Sequence, residues 1–195
     1  MTVAERATPE QLMALMKSRR VCRSFTPEPV SDDDLRMITQ AARWASSASN
    51  RRLHKFLIVR DPDVIKRVRT VAPGMLTQPP AMIVILTDLE QVEREQIKFG
   101  ADDADAMDVG TAAMNMQNMA HALGLGSCPV TSFSDSGVKV MLELPDRFLP
   151  EWILIVGHPA PAPRGLRANA PKPVSARDLT YWERVGEHDP PANAQ

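Results

Sequence analysis

An α+β or mixed α/β fold is predicted by three observations. Asp105 to Leu123 holds no proline and a single glycine, Gly110, and is dense in alanine and methionine, the composition of a long helix. Four short apolar runs, Phe56–Val59, Ala81–Leu86, Ser127–Val130 and Trp152–Gly157, have the length of strands. Helix-start signatures stand before and between those runs, at Thr8-Pro9-Glu10-Gln11, Ser31-Asp32-Asp33-Asp34, Pro62 and Ser134. A chain of 195 residues suits one domain with a sizeable core. The expectation is a single domain over 1–195, ordered across about 10–186, with 187–195 a disordered tail.

In chain order, Thr8 is placed as N-cap, Pro9 at N1 and Gln11 at N3, a capping box. Leu12, Met13, Leu15 and Met16 give that helix an apolar face. It runs into Arg19-Arg20-Val21-Cys22-Arg23, where three arginines in five residues read either as solvated surface or as an anion site. Thr26-Pro27-Glu28-Pro29 breaks the pattern, and Ser31 caps a second helix whose three acids suit the positive end of its dipole. Ala45 to Asn50 is a small polar loop, Asp63 to Val71 a helix, and Leu89 to Ile97 a short one. On the long helix, Met107, Met114 and Met119 fall on different sides from Ala112, Met116, Ala120 and Leu123. A helix apolar on most of its circumference is buried on most of it, and a second copy of the chain is one way to bury it. Gly124 takes the C′ position. Thr131-Ser132-Phe133 is a polar turn before Ser134, with backbone N–H groups to offer a ligand. A helix from Asp135 to Leu142 stops before Pro145, Pro159 to Pro173 reads as an extended arm, and Arg177 to Val185 as a short helix or strand.

Composition removes several functions. With 23 basic and 24 acidic residues the net charge is -1, so bulk charge implies no nucleic-acid partner, and aromatics at 5% leave no stacking platform for bases. The N-terminus lacks a signal-peptide core and no apolar run approaches a membrane span. Two distant cysteines, Cys22 and Cys128, match no metal spacing, and a reduced cytoplasmic protein is the simplest account. Gly124-Leu125-Gly126 ends a helix instead of opening one, which defeats a dinucleotide fingerprint, and no P-loop, HExxH or CxxC occurs. His54, His121, His158 and His188 are scattered, and the helix dipole accounts for Asp102, Asp103, Asp105 and Asp108 without a metal. Ser127 and Cys128 lack the flanks of a nucleophile elbow. Side chains so poor in chemistry point to a cofactor.

Four stretches together resemble the FMN-dependent nitroreductase superfamily. These are Arg19 to Phe25 with Pro29-Val30; Ser47 to Asn50 with Phe56–Val59; Asp108 through Gly126 with Pro129–Phe133; and Trp152 to Pro159 with Leu179–Gly186. Ala48-Ser49-Asn50-Arg51, Ala72-Pro73-Gly74 and Gly126 to Phe133 look closest to one branch, the catalytic subunit of the albonoursin-forming cyclic dipeptide oxidase, which works with a small companion subunit.

The resemblance implies a mainly antiparallel sheet flanked by helices, a long dimer-interface helix, and a C-terminal arm swapped onto the partner of a homodimer. It implies FMN as cofactor and NAD(P)H as reductant. Its phosphate falls to Arg19, Arg20 and Arg23, with Lys172 of the arm completing the cluster, and Val21 stands where a serine is frequent. Asn50 falls to the polar edge of the flavin ring, and Pro129, Val130, Thr131 and Ser132 form the turn against it. Arg52 occupies the place of a glutamine, putting a full positive charge near the ring. The activity implied is two-electron reduction of nitroaromatic or quinone-like acceptors by a ping-pong route. Its rivals are an oxidase or dehydrogenase of a cyclic dipeptide or similar metabolite, and a flavin-binding protein without turnover.

Overall fold

The structure is a computed structural model and describes residues 7–47, 50–95, 104–161 and 174–189. Two units make up the chain, Met1–Pro161 and Ala162–Gln195.

The first unit is built on one four-stranded sheet, β1 (His54–Val59), β2 (Ala81–Asp88), β3 (Gly126–Val130) and β4 (Phe148–Gly157), in the order β1-β2-β4-β3. Every pairing within it is antiparallel, which settles the mixed alternative in favour of α+β. The helices are α1 (Pro9–Ser18), α2 (Asp32–Arg43), α3 (Pro62–Thr70), α4 (Leu89–Arg94), α5 (Ala104–Ala122) and α6 (Asp135–Met141). Side chains alternate across the central strands because successive residues of a strand face opposite ways. Ile83, Ile85, Leu154 and Val156 meet Leu35 and Ile38 of α2 and Ala112, Met116 and Ala120 of α5. Met82, Val84, Ile153 and Ile155 meet Ile65 and Val68 of α3 and Val138 of α6. The sheet is thus covered on both faces, which is why β2 is buried from end to end. Each large aliphatic side chain fully buried this way contributes about 1.5–3 kcal/mol.

The local signals act as expected. Thr8 and Gln11 make both bonds of the capping box. Ser31 accepts from the Asp34 N–H and Ser134 from the Gly137 N–H, and Gly124 ends α5 with φ 76°. Three strands start earlier than their apolar runs, β3 by one residue, at Gly126. His54 pairs with Thr87, and β4 reaches back to Phe148 through a bulge that sets Ile85 against Trp152 but Leu86 against Pro150. A bulge is one of the few places where a strand tolerates proline.

The helical layers differ in what they leave uncovered. In α3, Ile65 and Val68 are fully buried, whereas α1 has no buried residue and exposes Leu12, Met13 and Met16. Met37 of α2 and Met107 and Met114 of α5 are exposed as well, so α5 is buried on one side only within a single chain.

In the second unit the expected helix or strand is a single 3-10 turn, Arg177–Leu179. Asp178 accepts from the Ser175 hydroxyl and N–H, and Arg177 pairs with Asp189 at 2.7 Å. The His188 ring lies on the Arg177 and Thr180 carbonyls, so Glu187 to Asp189, expected in the tail, are tied to this turn. Residues 162–173, the body of the expected arm, and 190–195 lie outside the described residues.

Candidate functional site

The free edge of β3 is where the first group of predicted residues meets. Cys22 N–H donates to Ser127 O at 2.9 Å, and Val21 bridges Ser127 in parallel. This non-local bond holds the segment after α1 alongside the strand after α5. Gly126 makes it possible, because a Cβ there would stand 2.6 Å from both Cβ and Sγ of Cys22. No side chain fits in that space.

Arg19 is the C-cap of α1, half-buried, with Nη1 reaching Gln117 Oε1 of α5 at 3.4 Å. Arg20 is exposed and turned back, Nη1 donating to Lys17 O and Arg19 O. Arg23 is exposed, its carbonyl accepting from Thr77 Oγ1 at 2.6 Å, and its guanidinium lies beside the Cys128 thiol. Burial pushes that thiol up from its ordinary value, and the Arg23 charge pulls the other way. Among the described residues, no carboxylate is in ion-pair range of Arg19, Arg20 or Arg23.

At the far end of β3 the turn is clamped through its carbonyls. Gly74 N–H donates to Ser132 O at 3.0 Å, and Ser134 N–H to Val71 O at 2.8 Å. An added Cβ on Gly74 would crowd Val130 Cγ1 at 3.1 Å and Ser132 Cβ at 3.2 Å, so the close approach needs glycine. Pro129 is half-buried and Val130 buried in the strand, while Thr131 and Ser132 are exposed. In an antiparallel strand, alternate residues point their N–H and C=O to opposite edges. Pro129 has no N–H to give β4, so Ser127, Pro129 and Thr131 face outward. Neither the Thr131 nor the Ser132 N–H donates to another described residue.

The remaining predicted residues lie elsewhere. Asn50 and Arg52 precede β1, on the opposite edge of the sheet, both with left-handed backbone at φ 55° and 53°. Three strand spacings separate the two edges, about 14 Å. Along α5 the two groups also attach at different places, Thr111 Oγ1 binding Ser46 O and Gln117 meeting Arg19 about 9 Å further on. Arg52 lines a cavity of about 220 Å³ between α2, β1 and the first half of α5, together with Arg43, Phe56 and Asp108. Lys172 lies outside the described residues. A single chain therefore brings Arg19, Arg20, Val21 and Arg23 to the β3 edge with Pro129–Ser132, and holds Asn50 and Arg52 apart from them.

Gln117, Thr77, Gly74 and Arg43 were not among the predicted residues. Only Gly74 carried a signal, the Pro73-Gly74 pair in a connection. Of the histidines, His121 meets Ser18 Oγ at 2.8 Å and His188 lies on the Arg177 and Thr180 carbonyls. Among the described residues no cluster could hold a metal, and no helix is long and apolar enough to cross a membrane.

A sequence profile of the Nitroreductase family matches residues 16–73 and 69–158, most of the first unit. The chain belongs to the nitroreductase family. It is 26% identical over 165 residues to an FMN reductase [NAD(P)H] of Bacillus subtilis, covering 77% of this chain and 66% of that one. The chain thus spans just under two thirds of that reductase. An NADH dehydrogenase of Thermus thermophilus is 27% identical over 171 residues, covering 73% and 83% of the two chains. Among solved structures, a nitroreductase family protein of Clostridium difficile superposes with a TM-score of 0.72 at 23% identity, covering 88% of this chain and 97% of the other. An FMN-dependent nitroreductase of the same species gives 0.65 at 25% identity, covering 77% and 89%.

Proposed function

We infer that this member of the nitroreductase family is an NAD(P)H-dependent flavin oxidoreductase with FMN on the outer edge of β3. The observation that carries this reading is a pairing on one strand edge. Three arginines with no carboxylate partner among the described residues stand at one end, and the exposed Thr131 and Ser132, whose N–H groups meet no acceptor among those residues, at the other. A dianionic phosphate fits the first and the carbonyl-rich edge of a flat heterocycle fits the second. The names of the relatives, an FMN reductase and an NADH dehydrogenase, support the same chemistry.

Bound FMN supplies two-electron transfer between a nicotinamide and an acceptor. Arg19 and Arg23 would hold its phosphate, with Arg20 adding charge nearby. Thr131 and Ser132 N–H groups orient the ring and favour the charge it gains on reduction. One site then serves reductant and acceptor in turn, a ping-pong cycle, with nitroaromatic or quinone-like compounds as acceptors.

Asn50 and Arg52 reach this ring only from a second copy. The exposed apolar residues of α1, α2 and α5 give that copy a surface, and a two-fold homodimer sets one subunit's β1 edge towards the other's β3 edge. No companion subunit is needed for this arrangement.

The test is an absorption spectrum of the purified protein, then anaerobic addition of NADH and of NADPH, with sedimentation for the mass. The expected result is a dimer with a flavin band near ~450 nm that bleaches with at least one nucleotide. A protein that stays colourless after FMN is added would sink the β3-edge site. A flavin that ignores both nucleotides but is reduced by a cyclic dipeptide, with oxygen consumed, would replace the reductase by an oxidase. A flavin that no donor reduces would leave a flavin-binding protein.

A further inference from the structure

We propose that the cavity between α2, β1 and the first half of α5 holds the electron acceptor, and that this acceptor is a single-ring aromatic bearing a carboxylate. The proposal rests on the flavin reading above and names the substrate class of that site.

Size comes first. The cavity has about 220 Å³. An apolar cavity of about 150 Å³ takes a benzene ring, whereas drug-sized pockets begin at about 300 Å³. One substituted ring fits. The walls agree: Ala42, Ala45, Phe56 and Ala112 offer methyl groups and a ring to a flat apolar body.

Charge decides the rest. Arg43 and Arg52 stand at the cavity, both exposed, and neither is in ion-pair range of a carboxylate among the described residues. His54 and Asp108 also line it, and each already has an interaction of its own. Arg43 lies 5.9 Å over the Trp44 ring, and the left-handed backbone at Arg52 (φ 53°), uncommon for arginine, fixes where its side chain departs. Two guanidinium forks beside an apolar slot match a planar carboxylate. A neutral ring would fill the slot and leave both forks to water.

The reaction balances with 4-nitrobenzoate as the probe. NAD(P)H gives a hydride by way of the flavin and water gives one proton. The nitro group gains two electrons and two protons, loses one oxygen as water, and leaves as the nitroso acid.

The experiment compares kcat/KM for 4-nitrobenzoate and nitrobenzene in the flavin-loaded protein, alongside calorimetric binding of both. The acid is expected to be preferred by about tenfold or more, a margin set by charge-assisted bonds. In Arg43→Gln that preference falls about tenfold, Arg43→Lys restores most of it, and rising salt erodes it in the wild type. Equal use of both compounds, or a preference that Arg43→Gln leaves intact, overturns the proposal while the flavin reading stands. If no nucleotide bleaches the flavin, that reading fails, and calorimetry alone decides the cavity. Binding of 4-nitrobenzoate that Arg43→Gln weakens about tenfold upholds the site, and no binding overturns it.

Discussion

The β3 edge and the cavity beside β1 belong to opposite sides of the sheet, and they are held in different ways. At the β3 edge the backbone does the holding. Cys22 to Ser127, Gly74 to Ser132 and Ser134 to Val71 are main-chain bonds, and Gly126 and Gly74 keep the strands close enough to make them. At the cavity the walls are side chains of α2, β1 and α5, and the adjoining backbone is in left-handed conformation at Asn50 and Arg52. An edge fixed by main-chain bonds tolerates much sequence change, which suits a cofactor shared across a family at 22–27% identity. A cavity walled by side chains changes with each substitution, which suits substrate choice. Of the two departures from the family pattern, Val21 falls on the first region and Arg52, a full charge in place of a glutamine, on the second.

The sharpest way to break this division is to remove charge from the first region. Arg19→Ala with Arg23→Ala is expected to weaken FMN binding by about a hundredfold or more, since each charge-assisted bond is worth about 1.5–3 kcal/mol. Fluorescence quenching of free FMN on titration measures it. Arg60→Ala removes a cation already paired with Asp32 and serves as the control. Equal losses in the two proteins would reduce the site to bulk charge.

Gly126→Ala tests the close approach itself. The added methyl meets Cys22 at 2.6 Å on atoms fixed near the backbone, so the bridge to Ser127 must open. A stability loss of about 1–3 kcal/mol in urea is expected, together with weaker FMN binding. A variant as stable as the wild type would mean that the segment after α1 moves freely relative to β3, and the edge would lose its claim to rigidity.

Arg52→Gln acts on the second region, and in the proposed homodimer its effect falls on the partner's flavin. A positive charge near the ring favours the anionic reduced form, so its removal lowers the two-electron potential by about 30 mV, or about 1.4 kcal/mol. Spectroelectrochemistry reads this directly. An unchanged potential would keep Arg52 away from the ring and confine it to the acceptor cavity.

What the sequence made legible was local. Thr8 with Gln11, Ser31, Ser134 and Gly124 carry their own chemistry within a turn, and each does in the fold what it does in a peptide. The strands were found by their apolar runs, but their ends were not. His54 and Pro150 enter the sheet only because Thr87 and Leu86 stand opposite them. The pairing of Val21 with Ser127 spans more than half the chain and leaves no trace in either segment. For the same reason the motif residues could be named but not sorted. Order along a chain says which residues are present, and only geometry says that Asn50 and Arg52 stand apart from Arg19 and Arg23. Arg43 and Gln117 were invisible because an arginine ending a helix, or a glutamine within one, is ordinary until its neighbours are known.

The smallest predicted effect comes from Cys128, which lies under the β3 edge with Arg23 beside it. Burial raises its pKa in the fold above the ordinary thiol value of 9.0, with Arg23 opposing. A proton is therefore held more tightly by the folded state than by the unfolded one. The stability this contributes is complete below pH 9 and is lost as pH climbs through the raised value, because there the unfolded chain has released a proton that the fold retains. Urea midpoints at pH 7.5 and pH 10 should fall further in the wild type than in Cys128→Ala, by less than about 1 kcal/mol. FMN sharpens the test. A phosphate that takes up Arg23 removes the one influence opposing burial, so the loss at high pH becomes steeper in the flavin-loaded protein. A slope that FMN leaves unchanged would separate Arg23 from the phosphate and leave Arg19 to hold it.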